Sequence, residues 1–540
     1  MGSNNTTKRK TPPILPLDCI VEILEYLRND KKSLFTNLFV NRTWSQLVIP
    51  LLWCRPFEIR KKERIMIIDT LILCLSKEEK RKFLEKMNEE NRKMINIEKN
   101  PLFDYPLYIR NLDYRNLESL IGNWVTNLND NLKIPRNIEI FLFNIIGNLI
   151  FTRSRGLTSL TLEHYDHYYY KFRKTNYTSF KDILSFNNIK NTLEHLQRLE
   201  INFFSEIYSS EIISNLFLTL SKYSNNIKHI YIDVSVEETI LFSEICNSFA
   251  RLIESQTNLI TLEVNQNLGY SFINSLYTQS NSLTLLKINY LKNFHNLLPA
   301  LSACKNLETL EFSEYFKIEQ VDDLIYSLNT LSPIYIKNLL AYRFDSENIE
   351  ENFGLSMIIL IKLSVNTLKS LTLDHVNQEI LETISINCPT INYLSLSILP
   401  ESLLFFSKIL SSLSHLESLI FIQDFNDQFF CTNDILLDIA NNLPLSLKYF
   451  GFWTLDYHIL DDFLQNINVP LQELDLFKSL NNDEMIIIIN YVKNNNRILK
   501  RFGYKKVFSK DSNVSENYFV EAKSIIPIID EARDIKHHVY

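Results

Sequence analysis

The chain has 540 residues, 46% of them hydrophobic and 22% charged, with a formal net charge of −7. This is enough apolar material for a folded core, and the acidic balance excludes a protein that neutralises nucleic-acid phosphates on a basic face. Only 8 residues are glycine, where average usage would give roughly forty, and none lies within three positions of another, which excludes enzymes built on glycine-rich phosphate loops.

Residues 1–13 are polar and basic and are expected to be a disordered lead. They fit the loose M-G-x-x-x-[ST] acylation pattern through Gly2 and Thr6. One acyl chain beside three basic residues binds membranes only marginally, so the lead is read as a solvated tail. Over residues 15–53 the apolar positions predict three short helices. Leu17, Ile20, Ile23, Leu24 and Leu27 follow Pro16, a residue suited to a first turn. Leu34, Leu38 and Phe39 begin a second stripe, and Trp44, Leu47 and Val48 a third, ended by Pro50.

Residues 59–155 read as a helical linker. Ser76-Lys77-Glu78-Glu79 is a capping-box sequence that should start a helix carrying Phe83, Leu84, Met87 and Met94 on one face. Further helical patterns cover residues 117–128 and 138–151, the latter too short to span a bilayer.

From residue 157 the chain repeats a hexad, L-x-x-L-x-L with conservative swaps, starting at positions 157, 196, 227, 259, 283, 307, 368, 391, 416, 447, 471 and 499. A degenerate copy near Ile334 and Ile336 would fill the one large gap. Helical stretches at 212–220, 240–253, 403–413 and 435–443 lie between the hexads. A strand plus a helix in each unit cannot bury its own apolar face and must stack on its neighbours. Residues 509–540 are expected to form a C-terminal cover and tail.

Residues 156–508 therefore resemble the leucine-rich-repeat proteins, an α/β solenoid with one strand and one helix per repeat. Cys304-Lys305-Asn306-Leu307 and Cys388-Pro389-Thr390-Ile391 are similar to the family's cysteine-containing subtype. The family's asparagine, three residues after the last leucine, occurs only as Asn267, so the turns must be satisfied irregularly. Residues 14–58 resemble the F-box: Leu15-Pro16 opens the pattern, Ile23-Leu24-Glu25-Tyr26-Leu27 continues it, Val40-Asn41-Arg42-Thr43-Trp44 forms the junction and Leu52-Trp53 closes it. Asn41 stands where a cysteine or small residue is usual.

The resemblance implies a substrate-recognition adaptor. Its F-box docks on the Skp-type adaptor of a cullin–RING ubiquitin ligase, and its repeats capture a target protein for ubiquitylation. Carried over residue by residue, adaptor contact falls to Leu15, Pro16, Ile20, Ile23, Leu24, Leu27, Val40 and Trp44. The alternative is a leucine-rich-repeat interaction scaffold not coupled to a ligase, in which the F-box-like start merely caps the repeats.

Within the hexads, strand alternation sends the side chains between and just after the leucines to the inner surface. Those positions give Glu163, Glu200, Asp233, Glu263, Glu311 and Asp374, then Tyr393, Ile420, Ile422, Tyr449, Trp453 and Phe477. The target is expected on this second, aromatic set, with a basic flank along the acidic stretch.

No enzyme is read from the chain. His164-x-x-His167, with Glu163 and Asp166, is the one local cluster of metal-ligand residue types. With no cysteine ligand nearby, it reads as a surface loop, so neither a metal nor a cofactor is expected. The seven cysteines (Cys19, Cys54, Cys74, Cys246, Cys304, Cys388 and Cys431) are scattered singly, as reduced thiols are in the cytoplasm or nucleus. No nucleic-acid partner and no stable membrane insertion are expected.

Overall fold

The computed structural model describes residues 15–58, 65–87, 92, 99–128, 136–164, 189–203, 210–234, 242–265, 269–291, 294–316, 331–342, 350–364, 366–423, 433–452, 457–477, 480–494, 499–504 and 514–531. They belong to two compact units, Met1–Thr257 and Asn258–Tyr540.

In the first unit the strands are β1 (Asn111–Asp113), β2 (Ser159–His164), β3 (Arg198–Phe203) and β4 (His229–Val234), each parallel to the next. The second unit begins with β5 (Thr261–Val264), β6 (Leu285–Leu291), β7 (Thr309–Phe316), β8 (Asn338–Ala341) and β9 (Ser370–Val376). It continues with β10 (Tyr393–Ile398), β11 (Ser418–Gln423), β12 (Tyr449–Phe452), β13 (Glu473–Leu476), β14 (Arg501–Tyr504) and β15 (Ile528–Glu531). Helices such as Ser210–Tyr223, Gln378–Asn387 and Asn482–Asn494 alternate with them. This is the leucine-rich-repeat fold.

Every hexad supplies one strand. The fourth hexad residues stand in register, Leu160↔Leu199↔Ile230 in the first unit and Leu371↔Leu394↔Leu419↔Phe450↔Leu474↔Phe502 in the second. All of them are buried. Burying this row is what stacking supplies and an isolated repeat lacks, since each apolar side chain withdrawn from water contributes about 1.5–3 kcal/mol. The gap in the series is filled by Ile336-x-x-Leu339-x-Ala341, whose three apolar residues are buried. Two further copies escaped the sequence reading. Ile109-x-x-Leu112-x-Tyr114 forms β1 inside the stretch read as helical, and Ile526-x-x-Ile529 leads β15 beyond residue 508.

Hydrogen bonds answer how the turns close with the single family asparagine lying outside the described residues. The carbonyl after the first hexad residue accepts two N–H groups from the following repeat: Thr158 from Gln197 and Arg198, Gln197 from Lys228 and His229, Lys369 from Asn392 and Tyr393, and Glu417 from Lys448 and Tyr449. A column of buried polar side chains stands three or four residues before the hexads. Ser154 Oγ donates to Ile109 O at 2.7 Å, Thr192 Oγ1 to Phe151 O at 2.6 Å and Ser224 Oγ to Leu193 O at 2.9 Å. Gln256 continues it, donating to Ser224 O at 2.8 Å and accepting from the Ile227 N–H at 2.9 Å. Cys304 and Cys388 hold the equivalent position in their repeats, and burial pushes their thiols up to about 11 and about 12. They stay protonated at neutral pH and act as packing residues.

Ahead of β2 the first unit is mostly helical. Ser76 and Glu79 form the expected capping box on Lys77–Glu85, which ends before Met87, while Met94 lies outside the described residues. Trp124 Nε1, on the helix Tyr114–Leu128, donates to Asp69 at 2.7 Å, tying that helix to Ile65–Leu73. No described helix is long and apolar enough to cross a membrane.

Candidate functional site

The N-terminal module is three helices, α1 (Leu17–Tyr26), α2 (Lys31–Asn37) and α3 (Arg42–Trp53). Two of the helix starts are set by side-chain caps. Asp30 accepts from the Ser33 N–H at 3.1 Å and the Ser33 hydroxyl at 2.6 Å, and Asn41 accepts from the Trp44 N–H at 3.0 Å. The departure from the F-box pattern at Asn41 is thus an N-cap, satisfying a donor that a cysteine would leave to water. Pro50, expected to end the third helix, lies inside it. The lost N–H is tolerated because Val48 and Ile49 bury on that helix and Leu51 and Leu52 pack beside the module core.

The eight residues carried over as adaptor contacts divide by position. Ile20 and Leu24 join Leu34 and Val48 in the module's own core, with Leu27 and Trp44 packed against it. Leu15, Pro16, Ile23 and Val40 face solvent. The exposed apolar set is larger than the pattern alone indicates. Leu15, Leu17, Val21, Ile23, Tyr26, Phe35, Phe39 and Val40 make up 8 of the 18 exposed large hydrophobic side chains among the described residues.

The module's far end meets the repeats. Cys54 O accepts from the Arg110 N–H at 3.0 Å and the Asn111 N–H at 3.1 Å, the same double acceptance that Thr158 O, Gln197 O, Lys369 O and Glu417 O make. Trp53 packs its ring on Tyr105 at 4.4 Å, and Phe57 is buried.

On the inner face of the second unit, strand register arranges the aromatic candidates in rows. Tyr393, Ser418, Tyr449, Glu473 and Arg501 stand side by side, and beside them run Ser395, Ile420, Gly451, Asp475 and Gly503. Ile420, Ile422, Tyr449 and Phe477 form one cluster with Tyr393 against it. These four are only 4–6% exposed, so most of each side chain is withdrawn from solvent. Trp453 lies outside the described residues.

Sequence reasoning missed what holds this cluster. Arg501 Nη1 donates to Asp475 Oδ1 at 2.6 Å, and Tyr449 Oη donates to Asp475 Oδ2 at 2.9 Å, all three buried. A Cβ on Gly451 would stand 2.9 Å from Phe477 Cε2 and 3.1 Å from Tyr449 Oη, so the bare backbone there leaves room for both rings. The available signal was the charged pair at inner positions of adjacent hexads, flanked by glycine at 451 and 503.

The acidic stretch is partly neutralised from within the chain. Glu163 pairs with Arg115 at 2.9 Å, Glu200 with Arg198 at 2.5 Å and Glu311 with Lys287 at 2.6 Å. Asp233 accepts from Tyr231 Oη at 3.4 Å. Of the histidine cluster, Glu163 and the backbone of His164, at the end of β2, are described, while Asp166 and His167 lie outside the described residues.

No family model and no curated protein matches the sequence. Among solved structures, the leucine-rich repeat-containing protein LegL7 from Legionella pneumophila is similar, with 13% identity and a TM-score of 0.35 over 54% of this chain and 90% of that chain. The Rad7 and Elc1 complex of yeast is similar with 13% identity and a TM-score of 0.32, over 60% of this chain and 81% of that chain. At this distance neither likeness carries an argument about activity or partners.

Proposed function

We propose that the chain is the substrate receptor of a cullin–RING ubiquitin ligase, docking on a Skp-type adaptor through residues 14–58 and transferring nothing itself. The observation that carries this reading is the crowding of exposed apolar side chains on a module whose core is already closed. A monomer rarely leaves such a surface in water unless something covers it. The repeats would capture the target on the inner face around Tyr393, Ile420, Ile422, Tyr449, Trp453 and Phe477, where Asp475 and Arg501 keep Tyr449 in place.

The test is co-purification of adaptor and cullin with full-length variants. Ile23→Asp with Val40→Asp places charge on the exposed face and leaves the core intact, so it should abolish recovery. Leu24→Asp is the folding control, because Leu24 is 1% exposed and a charge there breaks the module itself. Normal recovery by a folded Ile23→Asp, Val40→Asp chain rejects the receptor reading.

A second reading has its own observation. The double acceptance by Cys54 O makes the end of the module the first rung of the repeat ladder, as a cap would be. If the module is a cap only, removing residues 1–58 costs the first repeats their cooperative unfolding and wild-type chain recovers no adaptor.

A further inference from the structure

We propose that the inner face of the second unit holds a site for a lysine ammonium of the captured protein, built by Tyr342, Thr372, Asp374, Tyr393 and Ser395. The inference deepens the inner-face capture reading above, on which it rests, and is independent of adaptor docking. Strand register brings the group together. Thr372, Ser395 and Ile420 are neighbours across β9, β10 and β11, and Asp374 and Tyr393 each stand two places along the same face from Thr372 and Ser395. Tyr342 arrives from the end of β8, its hydroxyl bonded to Thr372 and within electrostatic range of Asp374, Tyr393 and Glu311. Between the pairs Leu373↔Leu396 and Val376↔Ile398, β9 carries one residue more than β10, and His375 takes a left-handed φ of 52°. Asp374 thus stands at a bulge, a feature that re-aims side chains.

Ser395 is 1% exposed and its Oγ closes no hydrogen bond, although the Tyr393 hydroxyl lies beside it. A buried hydroxyl left open is costly, and an incoming donor would satisfy it. Burial, and then the negative charges of Glu311 and Asp374, push the Tyr342 hydroxyl far above the ordinary tyrosine range, and burial also raises Tyr393. Both stay neutral at pH 7 and offer oxygen lone pairs. Lys287 pairs with Glu311 at 2.6 Å, so Glu311 and Asp374 share one ammonium and the group stays acidic, which disfavours an anionic guest. An ammonium brings three donors and no acceptor, matching hydroxyl oxygens set around a carboxylate. It is also compact, where the flat guanidinium of arginine is suited to a carboxylate fork. Tyr393 packs against the cluster of Ile420, Ile422, Tyr449 and Phe477, an apolar wall for the four-carbon lysine stem. Asp374 and Tyr393 are half-buried, so the group is reachable from water.

The experiment screens the full-length chain against hexapeptide libraries with one position fixed as lysine, arginine, norleucine or glutamate and the others randomised. The selected peptide is then titrated by fluorescence polarisation, with thermal melts of every variant. Lysine should be selected, with apolar residues beside it. Asp374→Asn in the chain and norleucine for lysine in the peptide should each weaken binding at least roughly tenfold. Combined, they should lose little more than either alone, because both remove the same contact. Ser395→Ala should weaken binding in the same direction with an unchanged melting midpoint. Equal affinity for the lysine and norleucine peptides rejects the ammonium site, and inner-face capture still stands if Ile422→Ser lowers that affinity. A preference for arginine assigns a guanidinium site and overturns the lysine proposal. If no library binds, the ammonium site and inner-face capture both fall.

Discussion

Asp475 and Arg501 meet at 2.6 Å on the inner face, the carboxylate fully buried and the guanidinium nearly so. Their strands are in register through Asp475↔Gly503 and Glu473↔Arg501, so Arg501 reaches diagonally over a neighbour without a side chain. The second carboxylate oxygen takes the Tyr449 hydroxyl. A buried pair of this kind offsets its own desolvation only while both partners are present. Asp475→Asn leaves Arg501 only the more distant Glu473 carboxylate at 4.0 Å and should cost up to roughly 3–5 kcal/mol in denaturant unfolding, and Asp475→Leu with Arg501→Met much less. Equal losses in the two variants would show that the pair is not the determining contact.

Gly451 has no left-handed backbone requirement, and its role is clearance. Gly451→Ala should destabilise by about 1–3 kcal/mol, the usual cost of overpacking, and Phe477→Leu should recover part of it by withdrawing the ring atoms nearest the new methyl. An unaltered unfolding midpoint for Gly451→Ala would mean that the two rings shift freely.

The buried polar column makes a prediction in the first unit. Thr192→Val keeps shape but leaves Phe151 O without its 2.6 Å donor, a loss of about 1–3 kcal/mol for a buried unsatisfied acceptor. Serine at position 192 should be milder, since the hydroxyl remains. Hydrogen exchange across residues 189–203 would locate the loosening, and uniform protection in Thr192→Val would argue against the column as a closure of the turns.

Asp113 sits beside Glu163 and Glu200, and burial, followed by those like charges, holds its carboxyl above the usual aspartate value against the lowering effect of the Asn116 N–H. The folded chain thus binds this proton more tightly than the unfolded one. Stability from this group is greatest at low pH and falls as pH rises from the ordinary aspartate range through the raised folded value. Asp113→Asn keeps an acceptor for the Asn116 N–H, now at 2.9 Å, and removes the charge, while the Asn116 amide, which donates to the second oxygen at 2.6 Å, turns over to accept from the new amide. It should melt higher than wild type at pH 7, on the order of 1 °C, with the difference shrinking toward pH 4. A difference that grows on acidification would reverse the assignment.

The repeat class was legible because one leucine pattern recurs through the chain, and a recurring hexad has one way to bury its leucines, by stacking in register. The Ser76 cap was legible locally too, since a cap binds within its own first turn; Asn41, read only as a departure from the pattern, proved to be another. The ends of the array were harder: Ile109-x-x-Leu112-x-Tyr114 stands amid helical patterns, and its strand exists because β2 and Cys54 O supply partners from distant sequence. The same separation decided the two candidate surfaces. Periodicity marks Ile20, Ile23 and Leu24 as equally apolar, but packing against Leu34 and Val48 hides the first and third and leaves Ile23 in water. The inner-face cluster likewise depends on register between strands some 26 residues apart, where Asp475 finds both Tyr449 and Arg501. Residue type and spacing, which are local, were determined by the sequence alone; which apolar side chain is covered, and which charge finds its counter-charge, only the tertiary structure decided, because both depend on neighbours that are brought together by folding.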